Sequence, residues 1–191
     1  MNAVLLSGSP SAPSRSSVLL AHVRQRLEES DARCHTIALR ELPPRALLQA
    51  DARDPELQRA LAQVAGAELV VIATPIYKAA YSGLLKAFLD LLPQDGLRGK
   101  AVLPLATGGS LAHLLAIDYA LKPVLHALGA RQIADAVFVA DTQLPRNAEG
   151  RYEAEPAAID RLEQALLGLC EPVPQRYLAP RVLAAAALAA C

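Results

Sequence analysis

Residues 3–17 read AVLLSGSPSAPSRSS, and this stretch decides the fold. The apolar run at 3–6 predicts a buried strand, and a helical pattern begins close to Val18. The loop between them is rich in hydroxyls, contains Gly8 and carries the cation Arg15. A helix that starts directly after such a loop presents unpaired N–H groups and the positive end of its dipole, which suit a phosphate. The alternative is an ordinary strand-to-helix turn whose serines only cap the helix.

The composition indicates a single folded domain with a substantial core. Hydrophobic residues make up 53% of the 191 residues and charged residues 20%, a balance that excludes a disordered chain. Nineteen basic residues offset nineteen acidic ones, which argues against a nucleic-acid binder and against an acidic electron carrier. The three cysteines, Cys34, Cys170 and Cys191, lie far apart, so we expect reduced thiols rather than disulfides. The four histidines are scattered along the chain, and no metal site is expected.

The two ends of the chain bear on whether it carries a signal peptide or a membrane-spanning segment. No basic leader precedes the serine-rich loop, which argues against a signal peptide. The longest apolar tract, at 182–191, is shorter than the ~20 residues that span a bilayer. We therefore expect a cytoplasmic protein without membrane contact.

Apolar runs alternate with helical patterns along most of the chain. The predicted strands are 2–6, 33–39, 68–73, 101–106 and 132–140, and the predicted helices are 18–29, 56–65, 82–92, 110–128 and 155–169. Apolar strands that alternate with helices predict a parallel sheet covered on both faces. We expect an α/β, flavodoxin-like, doubly wound five-stranded parallel sheet in the order 2-1-3-4-5. Residues 1–170 would form this domain and 171–191 a C-terminal tail.

Such a sheet binds its ligands beyond the carboxyl ends of the strands, beside strand one. The loop after strand three reads TPIYKAAYSG (74–83) and the loop after strand four reads TGGS (107–110), whereas the loops after strands two and five are less distinctive. The motif G-x-G-x-x-G is absent after strand one, so a mononucleotide with a flat ring fits better than a dinucleotide. Each feature also has a plain alternative: Pro75 ends a strand, Tyr77 is a packing residue, and Gly108 and Gly109 form a helix-entry turn.

Three longer motifs make a family resemblance specific. Residues 73–83 read ATPIYKAAYSG, residues 103–109 read LPLATGG, and residues 112–125 read AHLLAIDYALKPVL. The first resembles the flavin loop of NAD(P)H-dependent FMN reductases. The other two resemble the FMN reductases of two-component alkanesulfonate monooxygenase systems. The resemblance implies FMN that is an exchangeable substrate, NADPH or NADH as hydride donor, and a reduced-flavin-dependent monooxygenase as partner in sulfur metabolism.

The resemblance also implies roles for residues at matching positions. The FMN phosphate would be held by Ser9, Arg15, Ser16 and Ser17. The flavin ring would lie between Pro75, Ile76, Tyr77 and Lys78 on one side and Thr107, Gly108, Gly109 and Ser110 on the other, with His113 nearby. Relatives often carry an arginine where this chain has Ser11, which removes one cation near the phosphates.

Pro123 interrupts the fourth predicted helix and leaves the carbonyl of Tyr119 without its usual donor. This predicts a kink or a π-bulge, a feature that tends to occur at functional sites. The resemblance implies such a bulge at a subunit interface beside the flavin, so we expect Tyr119 to influence flavin release. The alternative is a buried tyrosine in a kinked helix.

Two further questions stay open in the sequence. Apolar residues of the helix at 82–92 exceed what one sheet face needs, so they indicate a homodimer or homotetramer unless all of them are core: Leu84, Leu85, Phe88, Leu89 and Leu92. The rival functions are a quinone, azo-dye or chromate reductase that keeps its FMN bound, a flavodoxin-type electron carrier, and a purely structural scaffold.

Overall fold

A twisted parallel sheet forms the centre of the molecule. The computed structural model describes residues 1–170, with the side chain of Cys170 excluded, so the predicted tail at 171–191 lies outside the described residues. The strands are β1 (Asn2–Ser7), β2 (Arg33–Ala38), β3 (Leu69–Tyr77), β4 (Ala80–Tyr81), β5 (Ala101–Gly108), β6 (Gln132–Ile133) and β7 (Val137–Ala140). The main order is β2-β1-β3-β5-β6, and β7 also pairs with β5.

This order confirms the flavodoxin-like α/β prediction, with two differences in strand count. The fifth predicted strand is split into β6 and β7, which both pair in parallel with β5. The third predicted strand continues past residue 73 to Tyr77 and turns back as β4, the antiparallel partner of its end. The described part of the sheet therefore has seven strands rather than five.

Six α-helices cover the sheet in the described residues. They are α1 (Arg15–Glu29), α2 (Pro44–Leu48), α3 (Pro55–Ala65), α4 (Gly83–Leu89), α5 (Lys122–Ala127) and α6 (Pro156–Cys170). The short helix α2 falls in a proline-rich connection for which no helix is predicted. The predicted single helix at 110–128 is wrong in detail, because that stretch forms a 3₁₀ turn, a π-helical segment and then α5.

Two apolar layers hold the helices to the sheet. Side chains of α1 and α6 pack with one face of the strands around Leu5, Leu19 and Leu103. Side chains of α2, α3, α4 and α5 pack with the other face around Leu6, Phe88 and Leu125. Each leucine removed from water here contributes roughly 1.5–3 kcal/mol before the cost of ordering it. The central strands are buried on both faces, so their carboxyl ends are where ligands have access.

Helix α4 settles one of the alternatives left open by the sequence. Leu85, Phe88, Leu89 and Leu92 are buried in the core of the chain itself, and Leu84 packs against that core. The apolar side chains of α4, and Leu92 just beyond its end, are therefore core residues and give no reason to expect an oligomer.

No helix in residues 1–170 is long and apolar enough to cross a membrane. Within the same part of the chain, Cys34 is a free thiol, and burial raises its pKa.

Candidate functional site

The loop from Ser7 to Ser17 is organised by its own hydroxyl groups. Ser14 caps α1, because its Oγ accepts a hydrogen bond from the Ser17 N–H at 3.2 Å. The Ser14 Oγ also shares hydrogen bonds with the hydroxyls of Ser16 and Ser17, at 3.3 and 2.6 Å. The cap explains why the helix begins at Arg15, earlier than the sequence pattern indicates. The loop thus places hydroxyls and the first N–H groups of a 15-residue helix at one point.

The same loop is fastened to the loop after β3. The Gly8 N–H donates to the carbonyl of Ala73 at 2.8 Å, which extends the pairing of β1 with β3. The Ser82 hydroxyl donates to the carbonyl of Gly8 at 2.5 Å, and its oxygen accepts from the Leu85 N–H, so it also caps α4. A side chain at Gly8 would lie 3.1 Å from the Ala73 carbonyl oxygen. A side chain where these two loops meet would therefore have to displace backbone, which favours glycine.

The end of β3 forms a hairpin that reaches out of the sheet. Pro75 does not end the strand, since it lies opposite Thr107 in the pairing of β3 with β5. Lys78 and Ala79 form the two-residue turn, with φ angles of 49° and 61°. These left-handed angles match a type I′ turn but disfavour side chains, so the hairpin tip carries local strain. Burial raises the pKa of Tyr81 at the base of the hairpin.

The loop after β5 brings main chain close to the same place. A side chain at Gly108 would lie 3.2 Å from the Phe138 ring and 3.3 Å from the His113 Nδ1, whereas one at Gly109 would project into open space. The Nδ1 of His113 is buried without a hydrogen-bond partner among the described residues. The loop is thus closely packed behind Gly108 and open in front of Gly109.

These loops enclose an open cleft of about 160 Å³ at the carboxyl ends of the strands. Nine of the predicted cofactor-binding residues line it: Ser9, Arg15, Ser16, Pro75, Ile76, Tyr77, Thr107, Gly108 and Gly109. The structure therefore brings the three predicted loops together, as the topology requires.

Four predicted cofactor-binding residues do not line the cleft. Ser17 turns toward Ser7, with 3.4 Å between their hydroxyls. Lys78 is exposed at the hairpin tip. Ser110 lines a neighbouring groove, and His113 lies behind Gly108.

Two residues after β7 line the cleft although sequence reasoning missed them. Asp141 directly follows the strand, and Tyr152 lies on a hairpin whose ends pair through Arg146 and Tyr152. The prediction that the loop after the fifth strand is less distinctive is wrong. The position of Asp141 at the end of a parallel strand was a usable signal, because it places the residue at the ligand edge.

A larger groove of about 1000 Å³ lies beside the cleft. The edge strands β6 and β7, α6 and residues 110–114 surround it, and Gly109 belongs to both cavities. We place the candidate site in the smaller cleft, because the hydroxyls, the helix start and the glycine loop converge there.

The predicted irregularity of the fourth helix is confirmed. Ile117–Leu121 form a π-helical segment, and the Lys122 N–H donates to the carbonyl of Ile117, five residues back. The side chain of Tyr119 is 79% exposed, so the alternative of a buried tyrosine is wrong. The segment lies beside β4, the returning strand of the hairpin whose first strand lines the cleft.

The residues present fit a flavin mononucleotide. Hydroxyls, helix N–H groups and a guanidinium are donors suited to phosphate oxygens. Two backbone edges, at 75–77 and 107–109, flank the rest of the cleft, and the open space at Gly109 leaves room for a ring. No cluster of His, Cys, Asp or Glu that could hold a metal ion occurs in the described part of the chain.

Comparisons with known proteins agree with this chemistry. Residues 1–144 match the family described as NADPH-dependent FMN reductase. An FMN reductase (NADPH) of Escherichia coli strain K12 is 48% identical over 166 residues, which cover 87% of this chain and 86% of that protein. The apo crystal structure of an NADH:FMN oxidoreductase is 39% identical, with a TM-score of 0.79 over 95% of this chain and 98% of that one.

A flavodoxin of Streptococcus pneumoniae has a TM-score of 0.60 over 88% of this chain and 96% of the other, at 16% identity, which supports the fold alone. The family match and the identity to the bacterial reductase carry the assignment. The chain therefore belongs to the NADPH-dependent FMN reductases, flavodoxin-like oxidoreductases whose reactants are FMN and a reduced nicotinamide nucleotide.

Proposed function

We propose that this enzyme transfers hydride from NADPH or NADH to FMN and that the reduced FMN leaves to serve a separate monooxygenase. One observation carries the proposal: three loops with phosphate-binding and ring-binding chemistry converge on one cleft in a member of this family. The description of the Escherichia coli relative names NADPH, and that of the solved oxidoreductase names NADH. Either nucleotide is therefore proposed as the hydride donor of this enzyme.

The start of α1 holds the FMN phosphate. Ser9 and Ser16 are buried where they line the cleft, and the free N–H groups of the first helical turn lie next to them. Arg15 supplies the one positive side chain among the described residues that line the cleft. Ser17 supports the hydroxyls of Ser7 and Ser14 and contributes indirectly.

The loops after β3 and β5 hold the ring. Pro75, Ile76 and Tyr77 provide one edge, with Lys78 at the exposed tip of the hairpin, and Thr107, Gly108 and Gly109 provide the other. Ser110 and His113 support this second edge from outside the cleft. The bound flavin supplies the hydride-accepting ring, so the protein has to orient the reactants rather than provide a general base. Tyr77 is half exposed and positioned to limit the access of water.

The shape of the cleft supports exchange of the flavin. The cleft opens to solvent at Gly109, where a side chain would meet nothing within 4 Å. A bound mononucleotide therefore remains partly open to solvent. The monooxygenase of an alkanesulfonate desulfonation system is the proposed partner, on the resemblance of residues 103–125.

Tyr119 is proposed to couple flavin release to assembly. Its exposure and its place in a π-helical segment next to the hairpin suit a contact with a second copy of the chain. Leu111, Leu114 and Leu115 are also exposed on this stretch, and such apolar side chains are typical of an interface. A homodimer or homotetramer formed here would place a subunit contact beside the flavin edge.

The test is oxidation of NADPH and of NADH by flavin-stripped enzyme while free FMN is titrated. We expect a rate that saturates with FMN and little flavin retained on gel filtration. The variant Ser16→Ala removes a cleft hydroxyl and should raise the KM for FMN roughly tenfold, whereas Ser30→Ala at the other end of α1 should not change it.

Other outcomes assign other functions. Tightly retained FMN, with turnover only after a quinone or dye is added, would make the enzyme a quinone or azo reductase. No oxidation of either nucleotide would indicate a carrier or a binding module.

A further inference from the structure

The guanidinium of Arg15 is held by the segment that follows β7. Its Nη1 lies 3.4 Å from the Asp141 Oδ2, and its Nε donates to the carbonyl of Leu144 at 3.3 Å. Its Cζ lies 4.6 Å from the centroid of the Tyr152 ring, within the range of a cation–π contact. The cation assigned to the flavin phosphate therefore already has an anionic partner inside the protein.

The residues that contact Arg15 are positioned by other parts of the chain. The Arg146 guanidinium lies 4.7 Å from the Tyr152 ring and donates to its hydroxyl at 3.2 Å. Asn147 closes the hairpin, because its Oδ1 accepts from the N–H groups of Glu149 and Arg151. Tyr152 is thus positioned by its own hairpin, and Asp141 by the end of β7.

Asp141 and Arg15 are the one acid and the one base among the described residues that line the cleft. Their side chains are 38% and 32% exposed, and the distance between them is long for an ion pair. Such pairs are weak, because solvent screens them. A phosphate with nearly two negative charges can therefore displace the carboxylate from the guanidinium, but it must compete to do so.

We propose that Asp141 competes with the flavin phosphate for Arg15 and so lowers the affinity of the enzyme for FMN. This inference rests on the proposed function, in which FMN binds at the start of α1 and has to leave after reduction. Tyr152 and Leu144 act as positioning groups that keep the guanidinium within reach of both anions. The competition weakens binding of the FMN phosphate, which the hydroxyls and the start of α1 favour. Bound FMN can therefore leave.

The first experiment compares FMN with riboflavin, which has the same ring and no phosphate. Dissociation constants are measured by quenching of flavin fluorescence on flavin-free wild-type enzyme and on Asp141→Asn. We expect FMN to bind roughly tenfold more tightly to Asp141→Asn and riboflavin to bind as it does to wild type. Glu149→Gln removes a charge from the same hairpin outside the cleft and should leave both constants unchanged.

The second experiment adds Arg15→Gln. If Asp141 acts through Arg15, the gain from Asp141→Asn disappears in the Arg15→Gln background. A gain that persists there, or a gain shared by riboflavin, would overturn the inference. Thermal unfolding of each variant establishes that the fold is retained.

The outcomes also separate this inference from the proposed function. FMN binding that is indifferent to Asp141→Asn overturns the inference and leaves the proposed function standing. Wild-type enzyme that binds neither flavin overturns both.

Discussion

The loop 7–17 and the segment 111–121 lie at the same end of the sheet, yet they are built in opposite ways. The loop has buried serines, hydroxyls that bond one another, and a backbone bond to β3. The segment passes from a 3₁₀ turn into a π-helix and exposes Leu111, Leu115 and Tyr119. The loop proposed to hold the phosphate is therefore complete within one chain, whereas the segment has apolar surface that one chain leaves uncovered. Binding and release of the flavin are assigned to different parts of the molecule for this reason.

The largest expected effect is in the buried loop. Gly8→Ala should lower the free energy of unfolding by about 3 kcal/mol, since the new side chain meets the Ala73 carbonyl and Leu85 at 3.1 Å. Gly83→Ala is the matched control, because a side chain there meets nothing within 4 Å. Urea unfolding of the two variants measures the difference. Equal stabilities would mean that the loop is not closely packed.

The next effect compares two serine caps. Ser82→Ala should cost about 2 kcal/mol, because it removes the cap of α4 and leaves the buried Gly8 carbonyl without its donor. Ser110→Ala removes the exposed cap of the 3₁₀ turn at the start of the segment and should cost about 0.5 kcal/mol. Chemical unfolding distinguishes them. A larger loss for Ser110→Ala would reverse the contrast between the two regions.

Tyr119→Ala should change the free energy of unfolding of the single chain by less than about 0.5 kcal/mol, since the side chain is 79% exposed. We expect it to change FMN retention and the size of the assembly, measured by flavin binding and by light scattering. Leu48→Ala is a control of equal exposure on α2. If FMN affinity, assembly and turnover all match those of Leu48→Ala, the role proposed for Tyr119 is wrong.

The smallest effect concerns strain at the hairpin tip. Ala79→Gly relieves a left-handed φ but also gives the unfolded chain more freedom, so stability should change by less than about 0.5 kcal/mol. Ala50→Gly makes the same exchange at φ 52°, in the turn after α2. We expect the KM for FMN to rise only for Ala79→Gly, as steady-state kinetics can measure. If the KM for FMN changes equally in the two variants, the strain at the hairpin tip has no role in flavin binding.

The sequence predicted most of the sheet because β1, β3 and β5 are apolar runs, whereas β2 shows only weak alternation. It misplaced the end of β3 because a proline usually stops a strand, whereas Pro75 pairs at the end of the sheet where one missing donor is tolerated. The π-helical segment could be predicted from the sequence because Pro123 removes one identifiable hydrogen bond.

The contacts between Arg15 and the segment after β7 could not be predicted in the same way. Arg15 contacts Leu144 across 129 residues of sequence, and Tyr152 reaches the cleft on a hairpin set by Asn147 and Gly150. Neither periodicity nor a local motif reports contacts of this range. The composition of the loop 7–17 predicted donors for a phosphate, and the place of Asp141 after β7 indicated a carboxylate at this edge, but neither predicted its contact with Arg15.

The fate of the flavin after one turnover shows whether reduced FMN leaves this enzyme. Enzyme loaded with FMN is mixed with NADPH or NADH without oxygen and passed at once through an ultrafiltration membrane. We expect reduced FMN in the filtrate and a protein fraction that can be reloaded with oxidised FMN. Reduced flavin that stays with the protein would contradict this expectation and would make FMN a resident cofactor of this enzyme.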